Sequence, residues 1–196
     1  MTIENKKYYA LYLEQLSHST SEEKNFIKNH LTIQKLDKGE FFLESGEIQK
    51  EMGFICQGLI RRYFINEQGN EITTGFTKEN QYITDYPAFI RQKPTKYFLQ
   101  CLEPCIIIKL PYNTIQESYK KFKNSEMQGR FIAEMVLTVL SDRVESFLFN
   151  TAEERYLKFI AENPDLMQRV SLTDLSSFLG IKRQSLSRIR NKMSKK

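Results

Sequence analysis

Residues 169–196 read RVSLTDLSSFLGIKRQSLSRIRNKMSKK, and the organisation of the whole chain turns on this stretch. Its apolar spacing predicts two helices, 172–179 and 183–193, joined by Gly180-Ile181-Lys182, a turn of the length and type found in a helix-turn-helix. At about 100° per residue, Leu186, Ile189 and Met193 share one face of the second helix, while Gln184, Ser187, Arg188 and Asn191 lie opposite. The first face anchors the helix and the second is suited to a major groove. There Arg pairs with guanine O6/N7 and Gln or Asn with adenine N6/N7, each bidentate pair discriminating by about 1–3 kcal/mol. Ser171 and Asp174 form a capping-box-like start to the first helix.

The charge distribution points the same way. From Arg169 onward there are eight Lys/Arg and one acid, Asp174, a net of +7, whereas the whole chain carries only +5. Residues 1–168 hold 21 Lys/Arg against 23 Asp/Glu, so the basic character is concentrated at one end, the electrostatic footprint of a nucleic-acid binder. Charge alone would fit a solvated basic tail equally well. The turn and the cap favour the DNA reader.

With 196 residues and 40% apolar content, the chain has material for one large domain or two small ones. No run approaches the ~18 apolar residues of a membrane helix. The N-terminus, MTIENKKYYALYLEQL, lacks a signal peptide's apolar core and cleavage site, so a cytoplasmic location away from membranes is expected. Cys56, Cys101 and Cys105 are too few for a disulfide framework and read as buried thiols. The two histidines, His18 and His30, both lie near the N-terminus. That leaves Ser-His-Asp, HExxH and Cys/His zinc arrangements without residues at suitable spacing, so neither an enzyme nor a metal or cofactor site is expected. Tyr119 and Lys123 match a Tyr-x-x-x-Lys pair, but no glycine-rich nucleotide turn precedes them.

Tyr8, Leu11, Tyr12 and Leu16 recur at helical spacing, and Phe26, Ile27 and Leu31 mark a second short helix. From residue 32 to 76 glycines at 39, 46, 53, 58, 69 and 75 punctuate short strands, with a hairpin loop at 66–70. Strand character resumes over 98–110, a spacing that suggests a barrel or jelly roll. Residues 126–149 predict a long helix whose apolar arc exceeds half its circumference, more than one buried face requires. Ile132, Val136, Val139, Leu140, Arg143 and Phe147 are assigned to it as a dimer helix, packing on its own domain and on a twin in a second subunit. A central helix in a monomer core is the alternative. Thr151 is the expected N-cap of a following helix, 152–161, which Asn163-Pro164-Asp165 ends.

This order resembles the Crp–Fnr family of bacterial transcription regulators over nearly the whole chain. The markers are Lys38-Gly39-Glu40, Ser45-Gly46-Glu47, Phe54-Ile55-Cys56-Gln57-Gly58-Leu59 and Gly69-Asn70-Glu71 in the barrel, then Ala152-Glu153-Glu154-Arg155-Tyr156, Leu179-Gly180-Ile181 and Leu186-Ser187-Arg188-Ile189-Arg190. The resemblance implies an α+β fold: an N-terminal jelly-roll (cyclic-nucleotide-binding-like) sensor domain over residues 1–125, a dimerisation helix over 126–150, and a C-terminal winged-type helix-turn-helix domain over 151–196. The connection from 163 to 170 leaves little room for a full β-wing. Double-stranded DNA and a second copy of the chain are the implied partners, with RNA polymerase a further one. Base reading would fall on Arg183, Gln184, Ser187 and Arg188, and phosphate positioning or capping on Ser171, Lys182, Ser185, Asn191 and Lys192.

One departure concerns the phosphate-binding cassette, where cyclic-nucleotide binders carry Gly-Glu and then Arg-x-Ala. The matching segment, ITDYPAFIRQKPTKYFLQ from 83 to 100, has no glycine, and places Thr84-Asp85 and Thr95 to Tyr97 at the two motifs. Glycine normally lets a phosphate approach backbone N–H groups and Arg normally pairs its charge, so cyclic AMP is not the expected effector. Tyr82, Tyr86, Phe89 and Tyr97 either line an apolar pocket for an unknown effector or plug the barrel themselves.

Overall fold

The computed structural model describes residues 3–193; Lys195 and Lys196 of the basic terminus and the side chain of Met193 lie outside the described residues. The chain divides into two compact units, residues 1–62 with 76–136, and residues 63–75 with 137–196.

The first unit begins with α1 (Ile3–Gln15) and α2 (Ser21–Lys28). The strands, of which β4 and β5 lie partly in the second unit, are β1 (Thr32–Leu36), β2 (Phe41–Leu43), β3 (Glu51–Gln57), β4 (Ile60–Ile65), β5 (Glu71–Thr77), β6 (Tyr82–Ile83), β7 (Phe98–Cys101) and β8 (Cys105–Pro111). Between β6 and β7 lies α3 (Tyr86–Arg91), and after β8 lies α4 (Tyr112–Lys121). Two four-stranded sheets result, ordered β1-β8-β3-β6 and β2-β7-β4-β5, the jelly roll expected from the short, glycine-punctuated strands. The strand pair β3 and β8 is antiparallel, with Ile55 opposite Ile107 and Phe54 opposite Ile108.

The continuous apolar run in β3 has a direct cause. Every residue from Met52 to Cys56 is buried, because each face of the strand has a cover. Ile55 joins Ile60, Ile83, Leu99 and Ile107 in one cluster, while Phe54 and Cys56 pack with Tyr8, Tyr12, Leu16 and Ile27 of the N-terminal helices. A strand covered on both faces has no polar alternation to show. The turn into β4 needs Gly58: its φ is +102°, and a Cβ there would lie 2.6 Å from the Cys105 sulfur and 2.7 Å from the Pro104 carbonyl. All three cysteines are buried and unpaired by disulfides, and burial pushes the Cys56 thiol up to about 11. Buried Glu23 of α2 accepts a hydrogen bond from the Ser125 hydroxyl.

α5 (Lys123–Phe149) runs 27 residues and supplies its second half to the other unit, which continues with α6 (Ala152–Glu162), α7 (Leu172–Leu179) and α8 (Arg183–Met193). Thr151 starts α6 through a capping box: its hydroxyl accepts from the Glu154 N–H at 3.3 Å, and the Glu154 carboxylate accepts from the Thr151 N–H at 2.7 Å. Those bonds from Thr151 lower the Glu154 carboxyl below its ordinary value. Tyr63, Tyr156, Phe159, Leu166, Leu175, Leu179 and Leu186 are the buried apolar side chains of this unit among the described residues. Only a 3₁₀ turn, Pro164–Gln168, lies between α6 and α7, and no strand follows Pro111 among the described residues. The short connection, as its length implied, holds no wing strands.

Candidate nucleic-acid interface

α7 begins at Ser171, whose hydroxyl accepts from the Asp174 N–H at 3.0 Å and donates to the Asp174 carboxylate at 2.6 Å. Ser171 is therefore engaged as a cap. The helix ends at Gly180 in the left-handed region, φ +67°, and the Ile181 N–H reaches back to the Ser176 carbonyl at 3.0 Å. Across the turn, the Lys182 carbonyl accepts from the Ser185 N–H at 2.9 Å and the Leu186 N–H at 3.2 Å, so the first turn of α8 forms directly after it.

On α8 the predicted division of faces is present. Leu186 is fully buried, at 0% exposure, and Ile189 is half-buried, whereas Arg183, Gln184, Ser185, Arg188, Asn191 and Lys192 are exposed. Lys182, Arg183, Gln184 and Ser187 line one open depression of about 640 Å³. The structure thus brings three of the four predicted base-reading residues, with the predicted phosphate ligand Lys182, to a single concave surface. Arg188 stands on the same helix. Ser187 donates its hydroxyl to the Arg183 carbonyl at 3.1 Å, which leaves its oxygen lone pairs to act as acceptors. Lys192 is turned to α6, where it pairs with Glu153 at 3.0 Å. An exposed ion pair of this type contributes about 0–1 kcal/mol, so it holds Lys192 only weakly.

Several residues with no local sequence signal hold this pair of helices in place. Arg143 of α5 donates to the Phe178 carbonyl and lies with its guanidinium 3.8 Å from the Phe178 ring centre and 4.5 Å from that of Phe147. Arg155 of α6 donates to the Leu179 carbonyl at 3.1 Å and to the Asn150 carbonyl at 2.7 Å. The two arginines so satisfy carbonyls at the C-terminal end of α7, where the helix has no acceptor-to-donor partner of its own. A Cβ on Gly180 would meet the Phe147 ring at 2.7 Å. Ser177 accepts from the Thr73 N–H at 2.9 Å and donates to the Glu71 carbonyl at 3.0 Å.

Of the residues assigned to the dimer helix, Ile132, Val136 and Arg143 are half-buried within their own chain, and Val139, Leu140 and Phe147 are exposed. Arg143 and Phe147 face the α7 end of the same chain. The most exposed apolar side chains of α5 are others: Leu137 at 68%, Leu148 at 70% and Phe149 at 77%.

Three of the four aromatic residues considered for an effector pocket, Tyr82, Tyr86 and Phe89, pack in one cluster with Met52 and Ile115, and Tyr97 is not part of it. Tyr82 packs edge-on against Tyr12 and Phe54, and Phe89 is buried against Tyr112. Tyr86 is half-buried beside Phe89, Met52 and Ile115, while Tyr97 lies under the Arg62 guanidinium instead. Burial raises the Tyr12 and Tyr82 hydroxyls and takes Tyr119 up to about 12. At the position of the cassette, the Thr95 hydroxyl donates to the Asp85 carboxylate at 2.6 Å, and the Gln49 side-chain oxygen accepts from the Asp85 N–H at 3.0 Å and the Thr84 hydroxyl at 3.1 Å. Gln49, Asp85 and Thr95 are buried, and Arg91, Lys93 and Lys96 are exposed.

Residues 33–122 match the cyclic nucleotide-binding domain family. The chain is 25% identical over 189 residues to the fumarate and nitrate reduction regulatory protein of Salmonella typhi, covering 91% of this chain and 74% of that one. It is 27% identical over 175 residues to electron transport regulator A of Shewanella oneidensis, covering 82% and 68%. Its fold is similar to that of FixK2 from Bradyrhizobium japonicum, with a TM-score of 0.75 at 14% identity over 84% of this chain and 85% of that one. The relatives are regulators rather than enzymes. A jelly roll matching the cyclic nucleotide-binding domain over residues 33–122, a long helix and a terminal helix-turn-helix follow one another as in the Crp–Fnr family of bacterial transcription regulators, to which the chain is similar along most of its length.

Proposed function

We propose that this regulator binds DNA sequence-specifically as a homodimer on a near-palindromic operator. The observation that carries the reading is the exposed face of α8, where Arg183, Gln184 and Arg188 stand opposite fully buried Leu186. Side chains so held project from a fixed helix, which suits them to base edges. Exposed Leu137, Val144 and Leu148 on α5 support the second subunit, because a twin helix removes this surface from water. The working division is a sensor domain over 1–125, a dimer helix over 126–150 and a DNA-binding domain over 151–196. Two recognition helices about 34 Å apart would enter successive major grooves. Gln184 suits adenine, since its amide both donates and accepts. No helix among the described residues is long and apolar enough to cross a membrane, consistent with action in the cytoplasm.

For the barrel, we propose that a cyclic nucleotide is not the effector. Thr95 and Asp85 bond each other where a ligand phosphate would require donors, while Arg91, Lys93 and Lys96 are exposed and Arg62 stacks on Tyr97. The experiment is operator selection from random duplexes followed by fluorescence anisotropy. Arg183→Ala and Arg188→Ala should each lower operator affinity about tenfold to a hundredfold with the dimer intact by sedimentation. Unchanged affinity would remove the base-reading assignment.

A further inference from the structure

Three separate elements grip α7, and the recognition helix follows α7 after a turn only three residues long. Ser177 occupies the outer edge of β5, the last strand of its sheet, taking the Thr73 N–H and giving its proton to the Glu71 carbonyl. An open strand edge is a row of unmet donors and acceptors, and one serine here satisfies two of them. At the other end of the helix, Arg143 combines a bond to the Phe178 carbonyl with a stack 3.8 Å from the Phe178 ring centre. A planar guanidinium makes such a double contact in one orientation only, so it fixes direction as well as distance.

We infer that Ser177 and Arg143 are positioning residues that set the separation of the two recognition helices, and hence the half-site spacing the dimer accepts. Neither residue is among those assigned to base reading or phosphate positioning. The inference rests on the DNA-binding reading and adds to it a division of labour: α8 selects bases, while the β5 edge and the end of α5 select spacing.

The test uses the full-length protein and a library in which the selected half-site is held constant and the spacer varies by single base pairs. Ser177→Ala and Arg143→Met, the second keeping bulk while removing the guanidinium, should reduce the preference for the best spacer over its neighbours by roughly tenfold, the worth of about one hydrogen bond. Base preference within a half-site should be unchanged, which a general loss of folding would not produce. Hydrogen exchange at the Thr73 amide provides a second measurement, since this proton is protected by Ser177 and should exchange faster in Ser177→Ala. An unaltered spacing profile in both variants overturns the inference while leaving DNA binding standing. A wild-type protein without operator affinity overturns both.

Discussion

The segment 84–97 and the helix α8 are both rich in polar side chains, and they use them in opposite ways. In the first, Thr95 bonds Asp85 and Gln49 bonds Thr84 and Asp85, with Gln49, Asp85 and Thr95 buried. In the second, Arg183, Gln184 and Arg188 are exposed. Hydrogen-bonding groups that satisfy one another hold the fold and have little left for a ligand; groups pointed at water contribute little to stability and keep their donors for a partner. The chain thus carries a closed polar site in one unit and an open polar face in the other.

The sharpest way to break this contrast is to disturb the buried side of the open end. Leu186→Ala should cost about 2–5 kcal/mol in chemical denaturation, because a side chain at 0% exposure leaves a cavity. The exposed arginines provide the matching measurement, and Arg183→Ala or Arg188→Ala should stay within about 0.5 kcal/mol of wild type in the same denaturation curves. A large stability loss from either would mean that the face of α8 is part of the fold.

Next in size is the closed site. Thr95→Val keeps the shape but removes the donor to Asp85 and the acceptor for the Tyr97 N–H, and should destabilise by about 1.5–3 kcal/mol. Operator affinity of the folded variant should be unchanged. A ligand that binds only the folded protein at a hundred times its Kd would add about 2.7 kcal/mol, so millimolar cyclic AMP or cyclic GMP should leave the thermal midpoint where it is. A clear upward shift would show that the cassette opens.

The smallest effect concerns the start of α6. Thr151→Ala should lower stability by about 0.5–2 kcal/mol. Because the folded-state pKa of Glu154 is depressed, its contribution is present above the unfolded carboxylate pKa and disappears as pH falls through the folded value. Acid titration of wild type and Glu154→Gln should therefore converge at low pH, and curves that stay parallel would assign the capping bonds no weight.

Local chemistry was legible in the sequence and long-range pairing was not. The bounds of α7 and α8 follow from apolar spacing, the Ser171 cap and the Gly180 stop, all within a few residues of one another. The capping box at Thr151 was visible only as an N-cap with two acids behind it. By contrast, Arg143 meets the Phe178 carbonyl across 35 residues and Ser177 meets Glu71 across 106. Nothing in the spacing of the long helix separates a residue that faces a twin from one that grips its own α7, so Arg143 and Phe147 are both assigned to the dimer helix. The aromatic residues near the cassette presented the same ambiguity: composition allows a pocket or a plug, and only packing sends Tyr82 and Phe89 to one cluster and Tyr97 to Arg62.

Gly180 bears on how portable the proposed DNA-reading segment is. Its left-handed φ would by itself tolerate an asparagine, but the Phe147 ring stands where any side chain would begin, and that ring comes from outside the two-helix stretch. A graft of residues 169–193 onto a foreign helix would carry the reading residues and leave behind the aromatic wall that shapes their turn. Transplantation of specificity between relatives should therefore move the end of the long helix together with the reader, as one cassette from residue 143 onward.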